Sequence, residues 1–300
     1  MIMSCRFSFI CILMIIFKFF HRTMATSMST TSGLIDIGAN LTHRSLKFNL
    51  SQILERAAQA QVFDVIITGT SLSGSREAID IATKFNAQQQ LVKLYSTVGI
   101  HPHEATRHSS LNYRQQLVQM LQGNSNVVAL GECGLDFDRN FSLHDHQRTV
   151  FETQVQLACE HNLPLFLHER SASTDTLAIL RKYAQHENFR GVIHCFTNGS
   201  LDILREYLAL NLYVGITGWV CDDRRGKDLA KIVSHIPLNR LLIETDAPFL
   251  LPRTHPKPWP NHNEPSLLPY VVKRLAECYS LPTNEIARHS TENAKTLFNI

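Results

Sequence analysis

Val127-Val128-Ala129-Leu130-Gly131-Glu132 sets the architecture. Four apolar residues run without polar alternation, so a strand built from them buries both faces, as in a parallel sheet covered by helices. The run then ends in a carboxylate. The same form, a short apolar or β-branched run closed by a polar residue or glycine, recurs at Leu34–Gly38, Val65–Thr70, Tyr95–Ile100, Pro164–His168, Val192–Phe196, Tyr213–Thr217 and Leu241–Asp246. Stretches of helical period lie between these runs. Leu50, Ile53, Leu54 and Ala57 are spaced i, i+3, i+4, i+7, as are Ala78, Ile81, Ala82 and Phe85. Phe151, Val155 and Ala158 follow, then Leu201, Leu204 and Leu208, then Leu229, Ile232, Val233 and Ile236, and finally Leu268, Val271 and Leu275. Each set gives a helix one apolar stripe to lay on a sheet. Eight such strands, each leading into a helix, predict an α/β fold, a TIM-type (β/α)8 barrel of about 250 residues. A doubly wound open sheet is disfavoured because no Gly-x-Gly-x-x-Gly follows the first strand.

The 300-residue chain is 44% hydrophobic and 18% charged, which excludes disordered and fibrous classes. Its net charge of +3 is too balanced to argue for nucleic acid by itself, yet leaves room for a local basic groove. Seven cysteines contain no Cys-x-x-Cys pair and read as reduced thiols. No linker divides the chain after Gly33, so residues 33–300 are expected to form one domain. Residues 1–32 are expected to lie outside it. They contain no acidic residue, and Phe7–Phe17 is nearly all apolar between Arg6 and Lys18. That run is short for a membrane span. Three readings stay open: a secretory signal, an organelle transit peptide, or an upstream start with Met24 or Met28 as the working initiator and a cytoplasmic product.

In a barrel, strand C-termini converge on one face, where the chemistry collects. Here those ends carry Asp36 and Asn40, His101 and His103, Glu132 and Asp136, His168 and Arg170, His194, Thr217 and Trp219, and Glu244 and Asp246. One histidine at a strand end is ordinarily a hydrogen-bonded rim residue. Recurrence on sequence-distant strands points instead to a metal centre. Mixed imidazole and carboxylate donors suit Zn²⁺, Mn²⁺ or Fe²⁺, and Mg²⁺ where carboxylates, water and substrate dominate.

These segments resemble a known family. Asp36-Ile37-Gly38-Ala39-Asn40-Leu41-Thr42, Gly99-Ile100-His101-Pro102-His103, Gly131-Glu132-Cys133-Gly134-Leu135-Asp136-Phe137, Leu167-His168-Glu169-Arg170, His194-Cys195-Phe196-Thr197, Gly215-Ile216-Thr217-Gly218-Trp219-Val220-Cys221, Glu244-Thr245-Asp246-Ala247-Pro248 and Asn263-Glu264-Pro265 are similar, in order, to TatD-type metal-dependent deoxyribonucleases. The resemblance implies a metallo-dependent hydrolase barrel that cleaves DNA phosphodiesters, typically as a 3′-to-5′ exonuclease. By motif, Glu132, His168, His194 and Asp246 resemble divalent-metal ligands, and Asp246 also the group that handles the proton of the attacking water. Many relatives carry His-x-His at the end of the first strand; Gly38 and Asn40 stand there here, a pattern shared by the TatD-proper branch.

A bound ion lowers the pKa of its water from 15.7 toward about 7 and polarises the phosphoryl oxygen. Asp246 is the expected general base, and His101 the expected donor to phosphate or leaving oxygen. Glu244 and Asp136 are expected to orient ligands. His103, Arg170, Trp219 and Arg253 are expected to bind substrate, with Arg139, Arg224, Arg225 and Lys257 as further phosphate contacts and Phe137 and Trp259 as further stacking surfaces. The expected partner is DNA, single-stranded or at a 3′ end, with Mg²⁺ as the cofactor in use and Mn²⁺ or Zn²⁺ as alternatives. The barrel is expected to act as a monomer without stable membrane association. Two competing functions keep the fold: hydrolysis of a cyclic amide, lactone or aminoacyl ester on RNA, and a non-catalytic nucleic-acid-binding barrel. Because Gly38 and Asn40 offer little to a second ion, one tight metal is expected in the free protein, with a second recruited by substrate. Restoring histidine at both positions is expected to raise metal stoichiometry.

Overall fold

Eight parallel strands follow one another around a ring in chain order, β1 (Leu34–Ala39), β2 (Val62–Ile67), β3 (Lys93–Val98), β4 (Val127–Asp136), β5 (Leu165–Arg170), β6 (Gly191–Ile193), β7 (Tyr213–Ile216) and β8 (Leu241–Ile243). The computed structural model describes residues 33–88, 90–108 and 112–300; the expectations for residues 1–32 lie outside them. β8 meets β1 through a parallel bridge between Ala39 and Ala247. Asn40 N donates to Ala247 O at 2.7 Å and Asp246 N to Gly38 O at 2.8 Å. The sheet is therefore closed into the expected (β/α)8 barrel.

The helices are α1 (Leu50–Gln59), α2 (Leu72–Asn86), α3 (Ala105–His108), α4 (Tyr113–Leu121), α5 (His144–Glu160), α6 (Ser173–Tyr183), α7 (Leu201–Ala209), α8 (Lys227–Ile232), α9 (Leu268–Tyr279) and α10 (Thr283–Phe298). Strand residues separate by parity, as period 2 requires. Leu34, Val65, Ile67 and Leu94 join the helix stripes in the larger apolar cluster. Ile35, Ile37, Ile66, Phe166, Val192 and Leu242 form a smaller one with Ala294, Leu297 and Phe298 of α10. Phe166 is fully buried, and a side chain of that kind contributes about 1.5–3 kcal/mol by leaving water.

Several boundaries differ from the sequence expectation. β2 and β3 begin and end earlier than Val65–Thr70 and Tyr95–Ile100, because side chains take over the backbone donors at their ends. Thr97 Oγ1 accepts from Gly69 N at 2.9 Å, and Gln154 Oε1 from Ile100 N at 2.8 Å. β6 and β8 stop before His194 and Glu244, where the chain leaves the ladder; Cys195 (φ 47°) and Asp246 (φ 53°) take left-handed backbone. The helical stretch around Leu229–Ile236 breaks into α8 and a 3₁₀ turn, Val233–His235. Among the described residues, no helix is long and apolar enough to cross a membrane.

Candidate active site

Glu132, 6% exposed, sits at the floor of a cleft of about 1120 Å³ over the strand C-termini. Three imidazoles, His168 on β5 and His101 and His194 just beyond β3 and β6, converge on its Oε1: His194 Nε2 at 2.8 Å, His168 Nδ1 at 2.9 Å and His101 Nε2 at 3.3 Å. Burial alone would push this carboxyl up, but the surrounding histidines outweigh it and hold the group well below the ordinary range. His194 and His168 move the other way: burial disfavours their charge, yet adjacent carboxylates raise both.

The three histidines differ in what holds their second nitrogen. His194 Nδ1 lies 3.2 Å from Glu244 Oε2, an arrangement that orients the ring and turns Nε2 onto Glu132 Oε1 at 2.8 Å. His101 is the reverse. Its Nδ1 accepts from His103 N at 3.1 Å, so its proton lies on Nε2, aimed at the centre. Burial lowers the His101 pKa to about 4, which keeps the ring neutral. His168 Nε2 is buried without a hydrogen-bond partner, 3.6 Å from Asp136 Oδ2.

Asp136 braces the cluster from outside. Its Oδ2 is 2.7 Å from His103 Nε2, and its Oδ1 accepts from Asp138 N at 3.0 Å and Arg139 N at 2.9 Å. Gln147 clamps its backbone from both sides, accepting from Asp136 N at 2.8 Å and donating to Asp136 O at 3.0 Å. Despite the cost of desolvation, the His103 and His168 imidazoles and the Arg139 amide hold the Asp136 carboxyl well below its usual range. Asp246 lines the same cleft, with Oδ1 accepting from Asn40 Nδ2 at 3.0 Å. Burial pushes Asp246 up to about 8, opposed by His194 and reinforced by Glu132 and Glu244.

Glu244 is fully buried. Its Oε1 accepts from Cys195 N at 2.5 Å. A Cβ on Gly38 would stand 2.4 Å from Glu244 Oε2, and one on Gly215 2.6 Å from Oε1, so the carboxylate lies in a slot that two glycines leave open. A side chain at position 38 would require the Glu244 carboxylate and the Phe166 ring to shift.

Asp36 turns away from the cluster and latches β1 to the chain after β8, accepting from Thr245 N at 2.9 Å and Thr245 Oγ1 at 2.6 Å. Asn263, fully buried, staples the Asp246 loop by donating to Thr245 O at 2.8 Å and Phe249 O at 2.7 Å. The neighbouring Glu264 is tied to α1 by Arg56 at 2.6 and 2.7 Å. At the rim, His103, Arg139, Arg170, Trp219 and Arg225 line the cleft. Arg170 is 2.8 Å from Asp138, and the Arg225 guanidinium lies 4.6 Å from the Trp219 ring. Arg253 is not among the lining residues; its guanidinium lies 4.2 Å from the Trp259 ring. Phe137 is committed elsewhere, stacked on His144 at 3.9 Å. Phe141 and Phe249, which the sequence reading passed over, both line the cleft.

A closed parallel barrel with imidazoles and carboxylates gathered beyond its strand ends defines a hydrolase of the metal-dependent (β/α)8 class. The family model for TatD-related DNases matches residues 35–299, and the chain belongs to that family. It is 41% identical over 268 residues to the 3′-5′ ssDNA/RNA exonuclease TatD of Edwardsiella piscicida, covering 89% of this chain and 100% of that one. The Dickeya dadantii protein of the same name is 41% identical over 266 residues, 88% and 97% of the two chains. Among solved structures, a TatD homologue from Escherichia coli superposes with a TM-score of 0.80 at 27% identity, covering 90% of this chain and 100% of that one. An Entamoeba histolytica TatD family hydrolase does so with 0.80 at 25% identity, covering 90% and 99%.

Proposed function

We propose that this chain is a divalent-metal-dependent exonuclease that hydrolyses phosphodiester bonds of single-stranded nucleic acid from the 3′ end. The observation that carries the reading is the convergence of His101, His168 and His194 on Glu132 Oε1 beneath an arginine-rimmed cleft. The rim arginines favour a phosphate over an uncharged amide or lactone. Names carried by the relatives supply the polarity and the strand preference.

The donor set fits a resident cation. Glu132 and His168 offer ligand atoms within 4.8 Å of each other, and the buried His168 Nε2 has no hydrogen-bond partner. His194, with Nδ1 held by Glu244, and Asp246 complete the set with Glu132 and His168. His101 stays out of it, because its Nδ1 already accepts a backbone N–H and its Nε2 carries the proton. Mg²⁺ is the ion we assign, with Mn²⁺ or Zn²⁺ as substitutes. Such an ion supplies Lewis acidity at a phosphoryl oxygen and lowers the pKa of water.

The chain's own residues do the rest. Asn40 fixes Asp246 Oδ1, which leaves Oδ2 to take the proton of the attacking water. His101 Nε2–H donates to the phosphate or to the departing 3′ oxygen. Asp136 holds His103 toward the cleft, and Arg139, Arg170 and Arg225 neutralise the strand behind the scissile phosphate. Digestion of end-labelled single- and double-stranded DNA, with and without EDTA, tests the reading. Stepwise loss of 3′ nucleotides that EDTA stops is the expected result; undiminished release in EDTA overturns it.

A further inference from the structure

Seven large apolar side chains stay exposed among the described residues, and of these Phe141 and Phe249 alone line the cleft. Phe141 is 65% exposed and Phe249 50%. They sit on the loops after β4 and β8, half the ring apart in strand order. A phenyl ring exposed at the mouth of a charged cleft offers a stacking face to an unpaired base.

Both rings are held in place. Phe249 N donates to Asp246 O at 2.9 Å, and Phe249 O accepts from Asn263 at 2.7 Å, so the loop that positions Asp246 also positions this phenyl group. Its ring centroid is 5.5 Å from that of His43. Phe141 meets His103 at 4.7 Å, and His103 meets His101 at 4.3 Å, which leaves it one imidazole removed from the catalytic histidine. The other aromatic candidates are occupied: Phe137 by His144, Trp219 by Arg225, and Trp259 by Arg253 and Lys257.

We propose that Phe141 and Phe249 are the base-stacking jaws of this enzyme, gripping the unpaired bases that flank the scissile phosphate. The assignment rests on the nuclease reading above and adds the residues that select the substrate. Stacking reads the face of a base, so bases paired in a duplex are refused. It does not read the sugar, so DNA and RNA strands are both accepted.

The test uses the full chain in magnesium buffer and a 5′-fluorescein phosphorothioate strand of thymidylates, followed by anisotropy. Phe141→Ala and Phe249→Ala are each expected to weaken binding about tenfold, whereas Phe249→Trp retains it. Phe48→Ala, an exposed phenylalanine away from the cleft, is the control. An abasic residue at one of the last three positions should shrink the penalty of one phenylalanine variant to less than twofold, the coupling expected of ring on base. Undiminished binding by both alanine variants, or equal penalties on intact and abasic strands, overturns the assignment. A wild-type chain that shows the coupling but removes no nucleotide from an unmodified strand would refute the nuclease reading and leave the jaws standing.

Discussion

Asn263→Ala probes how the Asp246 loop is held. Asn263 is fully buried, and its amide donates to Thr245 O and Phe249 O at 2.8 and 2.7 Å, while its Oδ1 accepts from Glu264 N at 3.0 Å. Truncation strands two buried carbonyls. At about 1–3 kcal/mol for each unsatisfied group, tempered by water entering the space, the expected loss is about 3 kcal/mol. For a domain of this size each kcal/mol lowers Tm by roughly 2–4 °C, so a fall of about 6–12 °C is expected in a thermal melt. Because Asp246 lies one residue from Thr245, hydrolysis of a labelled strand should fall at least tenfold at a temperature where the variant is still folded (about 1.4 kcal/mol of lost transition-state stabilisation). Asn263→Asp should be no better, since a carboxylate cannot donate to either carbonyl. A variant that melts within about 2 °C of the parent and keeps full activity would refute the staple, and with it the account of why Asn263-Glu264-Pro265 stands in this chain.

Glu132→Gln is expected to abolish hydrolysis and metal uptake together, read by nucleotide release and by metal analysis of the purified protein; retained metal with lost activity would reassign Glu132 to chemistry alone. Glu244→Gln, which loosens the grip on His194 Nδ1, is expected to cost about 10–100-fold in activity or metal affinity. Asp36 has its pKa raised from 3.8 to about 7, chiefly by burial and against the bonds from Thr245, so the folded chain keeps a proton that the unfolded chain releases. The stability from this group is complete below about pH 4 and is lost as pH climbs toward 7. Asp36→Asn should therefore melt higher than the parent at pH 8, with the advantage vanishing near pH 4. Removal of the residues before Met24 should leave melting temperature and nuclease rate unchanged, since every described strand and helix begins after Gly33; insoluble protein would count against the domain boundary.

The barrel is legible in the sequence because parallel strands buried on both faces carry continuous apolar runs, and a run such as Val127–Leu130 admits few other readings. Helices α3 and α4 after β3 escape, as does α6 after β5, whose buried face mixes Thr176 with Leu177, Ile179 and Leu180 and so blurs the apolar period. Helix α10 escapes for a similar reason: it packs Ser290, Thr291 and Asn293 into the barrel beside Ala294 and Leu297. Those polar groups are spent on backbone, with Asn293 Nδ2 donating to Leu238 O and Leu241 O at 2.7 and 2.8 Å. Residue type and strand position are enough to find Glu132, His168 and His194. They do not show that His101 turns Nε2 toward the same carboxylate, since that depends on which ring nitrogen a backbone amide occupies. Phe141 and Phe249 are invisible for the opposite reason: a phenylalanine reads as core until its exposure is known.

Gly38 shows how an apparent deficiency in a sequence can be a steric provision. Read as a string, it is the place where a histidine is missing. In the fold, it and Gly215 make the slot in which the Glu244 carboxylate reaches both His194 Nδ1 and Cys195 N. A buried carboxylate is tolerated only where its oxygens are met, and here one is met by an imidazole and the other by a backbone amide. That imidazole is thereby oriented with Nε2 toward Glu132. A side chain at position 38 would have to displace the Glu244 carboxylate, and with it the contact that orients His194. Glycine at position 38 and glutamate at position 244 are therefore one feature carried on two strands, and a change at either is a change at His194.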